Sequence, residues 1–376
     1  MKTKIFNRIE DIPVDLWNGL LSNKSRALSH EFWQVVEKSK MNDFDYRYVL
    51  LLDDNDSPAA LTCFYSITTD IAIFAPLALR NLLLRVRRLF PNFLKFRMIE
   101  WGTPVTVSSP PFVTRPDISA SAVITCMHRL LIETAKSEGH FLIVVRDFEG
   151  PTQELQSHFS AKRYHLVDSM PNTGLDIVWP SIAAYHGAMK SYYRSKLQKH
   201  LRINQERKVR HELVDDFDHL AEVLCTQWLV VHNQADEVQR EVLTPTFYRD
   251  FSRNMGSASK VLLFYKGDEL AGHALLLVDG TMLRWLYFGR NEATNDSLYL
   301  YVAHSVIETA ILLGAQTLEM GLTTYPIKLD LGAQVRPIRI ALRAVSGLIN
   351  PFVGLGYAVL NRPPDIRARG VFKSER

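Results

Sequence analysis

Cysteine is scarce in this chain of 376 residues: Cys63, Cys126 and Cys225 stand far apart, with no CxxC pair. That argues against a disulfide framework or a cysteine-built zinc site, and it suits a reducing compartment. An uninterrupted apolar run of membrane-spanning length is also lacking. The nearest stretch, "AVSGLINPFVGLGYAVL" from Ala344 to Leu360, is uncharged but broken by Pro351 and three glycines. It is short for a bilayer span and reads as a buried or interfacial element. The first residues, "MKTKIFNRIEDIP", lack the apolar centre of a signal peptide, so a cytoplasmic location is expected. GxSxG, Walker A, HExxH and GxGxxG patterns are all missing, so nothing points to an esterase elbow, a P-loop, a zincin site or a dinucleotide fold. No metal and no resident cofactor are expected.

Acids are missing from two places where bases crowd. From Arg80 to Arg97 the chain reads "RNLLLRVRRLFPNFLKFR", and from Lys190 to Arg210 "KSYYRSKLQKHLRINQERKVR", with Glu206 the one acid. The overall charge is only +4, so these are local features. Such clusters attract phosphate, on nucleic acid, nucleotide or lipid headgroup. A solvated helix face balanced by acids elsewhere is the competing reading. Leucine and phenylalanine interleave the first cluster, which also fits a segment lying on a membrane surface.

What is present is an ordinary soluble composition, 47% hydrophobic and 22% charged, and a hint of internal repetition. "IETAKSEG" at Ile132 and "IETAILLG" at Ile307 each close a helical stretch on a glycine, and each runs into a short apolar strand, "FLIVVRD" or "TLEMGLT". In the second half, "KVLLFYKGDELAGHALLLVDG" gives a hairpin turning at Gly267-Asp268, followed by the strand "TMLRWLYFGRN". In the first, "YRYVLLLDDNDSPAALTCFYSI" is a hairpin turning through Asp54-Asn55-Asp56, followed by "MIEWGTPVTV". The order hairpin, strand, helix, strand thus occurs twice. A basic insertion at about 70–98 explains the uneven spacing of the copies. Between them a long basic helix is predicted from about Ser181. The fold class is α/β with mixed sheets, in two tandem halves. The expected boundaries are 1–169, 170–340 and a C-terminal extension, 341–376.

Three segments carry a likeness to a known family: "MPNTGLDIVWPSIAAYHGAMKSYYRSKLQKHLRINQERKVRHELV", "GDELAGHALLLVDGTMLRWLYFGRN" and "LEMGLTTYPIKLDLG". The chain resembles the GNAT acyltransferase superfamily. Within it, the resemblance is to the double-domain group of Fem-type aminoacyl-tRNA-dependent transferases and CelD-like (peptidoglycan biosynthesis/recognition) acetyltransferase domains. It implies transfer of an acyl group to an amine, from acyl-CoA, a carrier-bound donor or charged tRNA. One departure stands out. Acyl-CoA members hold the donor's pyrophosphate on a glycine-rich turn before the main helix. Here that stretch is "GRNEATNDSLYLY", with no glycine after Gly289 and with Asp296 near the helix start, where a carboxylate repels pyrophosphate.

Acyl transfer to an amine needs a deprotonated nucleophile, alignment with the donor carbonyl and donors for the oxyanion. The resemblance points to Glu319, Tyr325 and Lys328 as catalytic candidates around the last loop, with Gly321 letting the chain turn. Lys328 also reads as an exposed loop lysine, and Tyr325 before Pro326 as a packing residue. Tyr287, Arg290 and Asn291 are the candidates for substrate binding where the central strand leaves the sheet. Arg290 could instead pair with Glu292 or Asp296, and His273 reads better as a core histidine. Arg194, Lys196, Lys199, Arg202 and Arg207 form the candidate phosphate or nucleic-acid patch. An enzyme using an acyl donor, a Fem-like transferase meeting tRNA, and a non-catalytic RNA- or envelope-binding module all fit these residues. Peripheral membrane contact fits the basic insertion.

Overall fold

Hairpin turns divide this chain into strands, and the computed structural model gathers them into two sheets. It describes all residues except 22–24, 76, 106–108, 150–152, 235–240, 293–296, 361–365 and 374–376. The first half runs β1 (Lys2–Phe6), α1 (Val14–Leu21), α2 (His30–Lys38), β2 (Asp45–Leu52), β3 (Pro58–Asp70) and α3 (Leu77–Val86). It continues through β4 (Lys95–Trp101), β5 (Phe112–Thr114), α4 (Ala120–Glu138), β6 (Leu142–Glu149), α5 (Gln153–Ala161) and β7 (His165–Asp168). The second half begins with β8 (Asn172–Asp176), α6 (Ile182–Ala188), α7 (Ser191–Glu206), β9 (Val209–Val214), α8 (Ala221–Gln234) and α9 (Pro245–Met255). Then come β10 (Ser259–Lys266), β11 (Glu269–Asp279), β12 (Met282–Arg290), α10 (Leu298–Leu312), β13 (Thr317–Gly321) and α11 (Tyr325–Asp330). The chain closes with β14 (Gln334–Arg336), β15 (Ile338–Ala344) and α12 (Asn350–Leu360).

The repeated order is real in three dimensions. Each half has an antiparallel hairpin, β2–β3 or β10–β11, then a strand, a long helix and a closing strand parallel to the one before the helix. Those parallel pairs are β4–β6 and β12–β13. The helices α4 and α10 end where Gly139 and Gly314 take positive φ, +71° and +68°, a conformation that costs glycine nothing. Gly267 turns the second hairpin in the same way, at φ +63°.

Sheet order is β1-β2-β3-β4-β6-β15-β7 in the first sheet, with β5 against β3, and β14-β8-β13-β12-β11-β10-β9 in the second. The boundary placed near 340 therefore falls inside β15, a strand that pairs with β6 and β7 in the first sheet. The long basic helix expected from Ser181 is instead two helices. Met189 and Lys190 are extended between them, because Met189 bridges to Phe372 and the Lys190 amide donates to the Val371 carbonyl.

One apolar core spans both halves. Trp17, Phe32, Trp33 and Tyr48 from the first pack in the same cluster as Phe217, Phe247, Tyr248 and Phe251 from the second. A second cluster lies under α10, and a third between the first sheet and α4–α5. On the other face of the first sheet β2 and β3 join the shared core through Tyr46, Tyr48, Leu61, Cys63 and Tyr65, while β4, β6 and β15 carry a small cluster, Met98, Val144 and Leu342, with α12 packed on β15.

Candidate active site

Alternation along β4 and β6 places chemistry on that thinly covered face. Residues i, i+2 and i+4 of a strand share one side. On β4 these are Phe96, Met98 and Glu100, and on β6 Leu142, Val144 and Arg146. The register pairs Met98 with Leu142 and Glu100 with Val144. Each row is apolar at first and charged toward the carboxyl end of its strand. Carboxyl ends of parallel strands are where open α/β sheets bind ligands.

A buried charge must meet its opposite, since desolvation costs several kcal/mol per ion. Glu100 and Arg146 are 2% and 3% exposed. Arg146 Nη1 lies 2.9 Å from Glu100 Oε2, and the Tyr65 hydroxyl donates to the same oxygen at 2.5 Å. Opposite this group, from the second half, the Tyr287 hydroxyl donates to Glu241 Oε1 at 3.0 Å. The Tyr287 ring is wedged edge-on between Trp228 and Phe247. Burial first, then the Glu241 carboxylate, push the Tyr287 phenol well above its ordinary range, while Arg146 pulls weakly the other way. Tyr287 is therefore a hydrogen-bond donor throughout the neutral range.

A cavity of about 470 Å³ connects these groups to the surface. Its walls are Phe96 and Met98 of β4, Leu142 and Val144 of β6, Ile340 and Leu342 of β15, and Phe352, Val353 and Tyr357 of α12. Glu100, Arg146, Glu241, Ser169 and Thr323 supply its polar lining.

The loop singled out in the sequence borders this cavity through Leu322 and Thr323. Three residues in four there are left-handed: Gly321 at φ +74°, Thr323 at +61° and Thr324 at +49°. For threonine this backbone is strained, at about 1–2 kcal/mol per residue. Lys328 is 2% exposed, so it is no exposed loop lysine. It sits on α11 and its Nζ donates to the carbonyls of Gly321 at 3.1 Å and Leu322 at 2.6 Å. Tyr325 donates to the Pro171 carbonyl at 2.9 Å, next to Met170, another lining residue. Both side chains thus brace the wall.

Glu319 is buried with its Oε2 2.6 Å from Arg284 Nη1, and Arg284 Nε is 2.7 Å from Asp279. Arg290 is 7% exposed. Asn291 Nδ2 donates to Glu269 and to the Leu270 carbonyl, and its Oδ1 accepts from Gln227. His273 is a core histidine held between Tyr248 and Gln227, its pKa brought down to about 3 by burial. Lys199 and Arg202 on α7 and Arg207 just past its end are exposed, Arg194 is half-buried and Lys196 bridges to Asp330 on α11 at 2.6 Å. The start of α10 is bound by α7, through Asn204 Nδ2 to the Ser297 carbonyl and His200 to the Ser297 hydroxyl. Asp296 lies outside the described residues.

Of the sequence candidates, none lines the cavity itself: Tyr287 reaches it through Glu241, and Gly321, Tyr325 and Lys328 through the residues that wall it. Glu319 and Asn291 are engaged elsewhere. Sequence reasoning passed over Glu100, Arg146 and Glu241. The first two had a signal: a carboxylate in "MIEW" and a guanidinium in "VVRD", each inside a strand otherwise apolar.

Among the described residues, one carboxylate–histidine group has metal-compatible spacing, Asp216, Asp218 and His219. Arg253 already holds Asp218 at 2.7 Å, and the group carries no further argument.

Comparison with known proteins places this architecture. Residues 191–329 match the model of the acetyltransferase (GNAT) domain. A Mycobacterium tuberculosis protein named as an 8-amino-7-oxononanoate synthase 2 is 26% identical over 328 residues, 84% of this chain and 42% of that protein. The chain thus spans less than half the length of the curated relatives it matches. The crystal structure of FemX aligns over 90% of this chain and 97% of its own, at a TM-score of 0.57 and 10% identity. A tandem GNAT protein from the clavulanic acid biosynthesis pathway aligns over 92% and 99%, at 0.52 and 10%. At such identities the likeness shows the fold, two GNAT units in tandem.

Proposed function

We propose that this chain, two tandem GNAT folds with an acetyltransferase domain over residues 191–329, transfers an acyl group from an activated donor to an amine. The cavity of the first sheet carries the reading, because it joins an open surface to the Glu100 and Glu241 carboxylates and the Arg146 guanidinium, with the Tyr287 phenol bonded behind Glu241. An amine arriving as ammonium must lose a proton before it can attack, and Glu241 is the base assigned to that step. The nitrogen lone pair then forms the new N–C bond at the donor carbonyl. Tyr287 and Arg146 donate to the developing oxyanion. Collapse breaks the bond to the leaving group, which takes up the proton. Glu100 holds Arg146 in place, and Lys328 and Tyr325 keep the Leu322–Thr323 wall where the donor passes.

The donor is an acyl-CoA or a carrier-bound acyl group. A second donor, aminoacyl-tRNA, is favoured by one observation, the exposed bases Lys199, Arg202 and Arg207 along α7. We further infer peripheral membrane contact. Leu89, Phe90 and Phe93 after α3, and Leu348, Phe352 and Leu355 around α12, are exposed, with Arg85, Arg88, Lys95 and Arg97 beside the first group. Among the described residues no helix is long and apolar enough to cross a membrane.

The decisive experiment incubates purified protein with acetyl-CoA, longer acyl-CoAs, acyl-carrier protein or charged tRNA, plus a panel of amines, and follows donor consumption. Consumption of one donor that falls about 10²-fold in Glu241→Gln with folding intact is the expected result. No consumption of any donor would reject the transferase.

A further inference from the structure

The cavity is larger than an acetyl group needs, and its chemistry is graded. Charge gathers at Glu100, Arg146 and Glu241, toward the carboxyl ends of β4 and β6, while the rest of the lining is hydrocarbon apart from the hydroxyls of Thr69, Ser169, Thr323 and Tyr357. A binding site with charge at one end and hydrocarbon along the rest matches an amphiphile with one straight aliphatic chain. We infer that this site takes the hydrocarbon tail of one of the two reactants, with the reacting head at Glu100–Arg146 and the tail running under α12. The inference rests on the transferase reading for the identity of the head, and it adds the substrate class.

A glycine supports the assignment independently. Gly356 lies within α12 and lines the cavity. Glycine inside a helix is less favourable than alanine by about 1 kcal/mol. A β-carbon built at Gly356 meets no atom within 4 Å, and its φ is not left-handed. Neither packing nor backbone conformation requires glycine here, so a side chain at this position would take room from the ligand rather than from the protein. The walls on the sheet side show the same economy. On that face β2 and β3 are sealed by the shared core, whereas among the described residues β4, β6 and β15 carry only the small cluster Met98, Val144 and Leu342. That part of the face is packed as a channel, with α12 as its roof.

The test is calorimetric titration of the full chain, which reads binding whether or not turnover occurs. Two series separate the two sources of a tail: acetyl-, octanoyl-, dodecanoyl- and palmitoyl-CoA for the donor, and butyl-, octyl- and dodecylamine for the acceptor. In the series that carries the tail, affinity should rise steeply, about fourfold per methylene, and level off once the channel is full. Gly356→Phe should move that plateau to a shorter chain and leave the shortest ligand unchanged. Gly356→Ala, which keeps the helix and adds one carbon, should keep the long-chain affinity within about threefold of the parent and verifies that the helix tolerates substitution. Flat affinity along both series overturns the inference, as does a rise that Gly356→Phe leaves untouched. Chain-length-dependent binding with no turnover of any donor would leave the channel standing and remove the transferase. Turnover of acetyl-CoA with flat binding would do the reverse.

Discussion

Lys328 separates two roles that a sequence alone leaves merged. Its ammonium donates to two backbone carbonyls of the cavity loop. Removing it takes a donor from the Leu322 carbonyl and leaves that of Gly321 to the Thr173 hydroxyl, in a strained turn. Lys328→Met should cost about 2 kcal/mol of stability, read from urea denaturation, and should raise KM more than it lowers kcat. A fall in kcat at unchanged stability would instead mean that the amine takes part in the chemistry. Histidine sets a second prediction. His273 and His304 have pKa values brought down to about 3, and His128 to about 4, by burial foremost. In the unfolded chain each titrates near 6.5. Between those values the unfolded state binds more protons, so stability is full above about pH 6.5 and is lost as pH falls toward 4. Melting temperature against pH should show that limb, and His304→Asn should flatten it. At this scale the sequence was half legible. Tyr287 and the loop could be singled out through the family resemblance, but Glu241 sits between elements where no periodicity marks it.

Elements were legible wherever a turn residue or a period announced them. Both hairpins and the glycine-ended helices α4 and α10 lie where the sequence puts them. The break between α6 and α7 was not legible, because it is imposed by pairing with Phe372, far along the chain. The same holds for α12, whose apolar stretch is helical but mostly exposed: Leu348 is 88% and Leu355 67% accessible. An apolar helix beside exposed arginines should bind an anionic surface reversibly. Sedimentation with phosphatidylglycerol vesicles should pull the protein down at low salt, and phosphatidylcholine vesicles should do so weakly. Phe352→Ser with Leu355→Ser should cut the anionic binding about tenfold. Equal sedimentation with both lipids would remove the membrane from the account.

For the whole molecule, the halves are joined by more than a linker. The shared core is reinforced by Asp279 of β11, which accepts from the Ser25 hydroxyl and the Arg26 amide of the first half while it holds Arg284. Removing one partner of a buried charge network is costly because the remaining charge keeps its desolvation penalty. Asp279→Ala should lower stability by about 3 kcal/mol, and fluorescence and circular dichroism should still report a single shared transition. Two separated transitions would show that each half unfolds alone. The duplicated order of strands and helices made this two-sheet plan readable in outline, whereas the swap of β15 into the first sheet left no mark, since an apolar strand does not state its partner.

That swap has a consequence in time. During synthesis β6 and β7 leave the ribosome long before residues 338–344 exist, and until then each offers a bare backbone edge to any neighbouring polypeptide. A nascent chain stalled anywhere short of β15 would be sticky, and chaperone dependence should peak in that window.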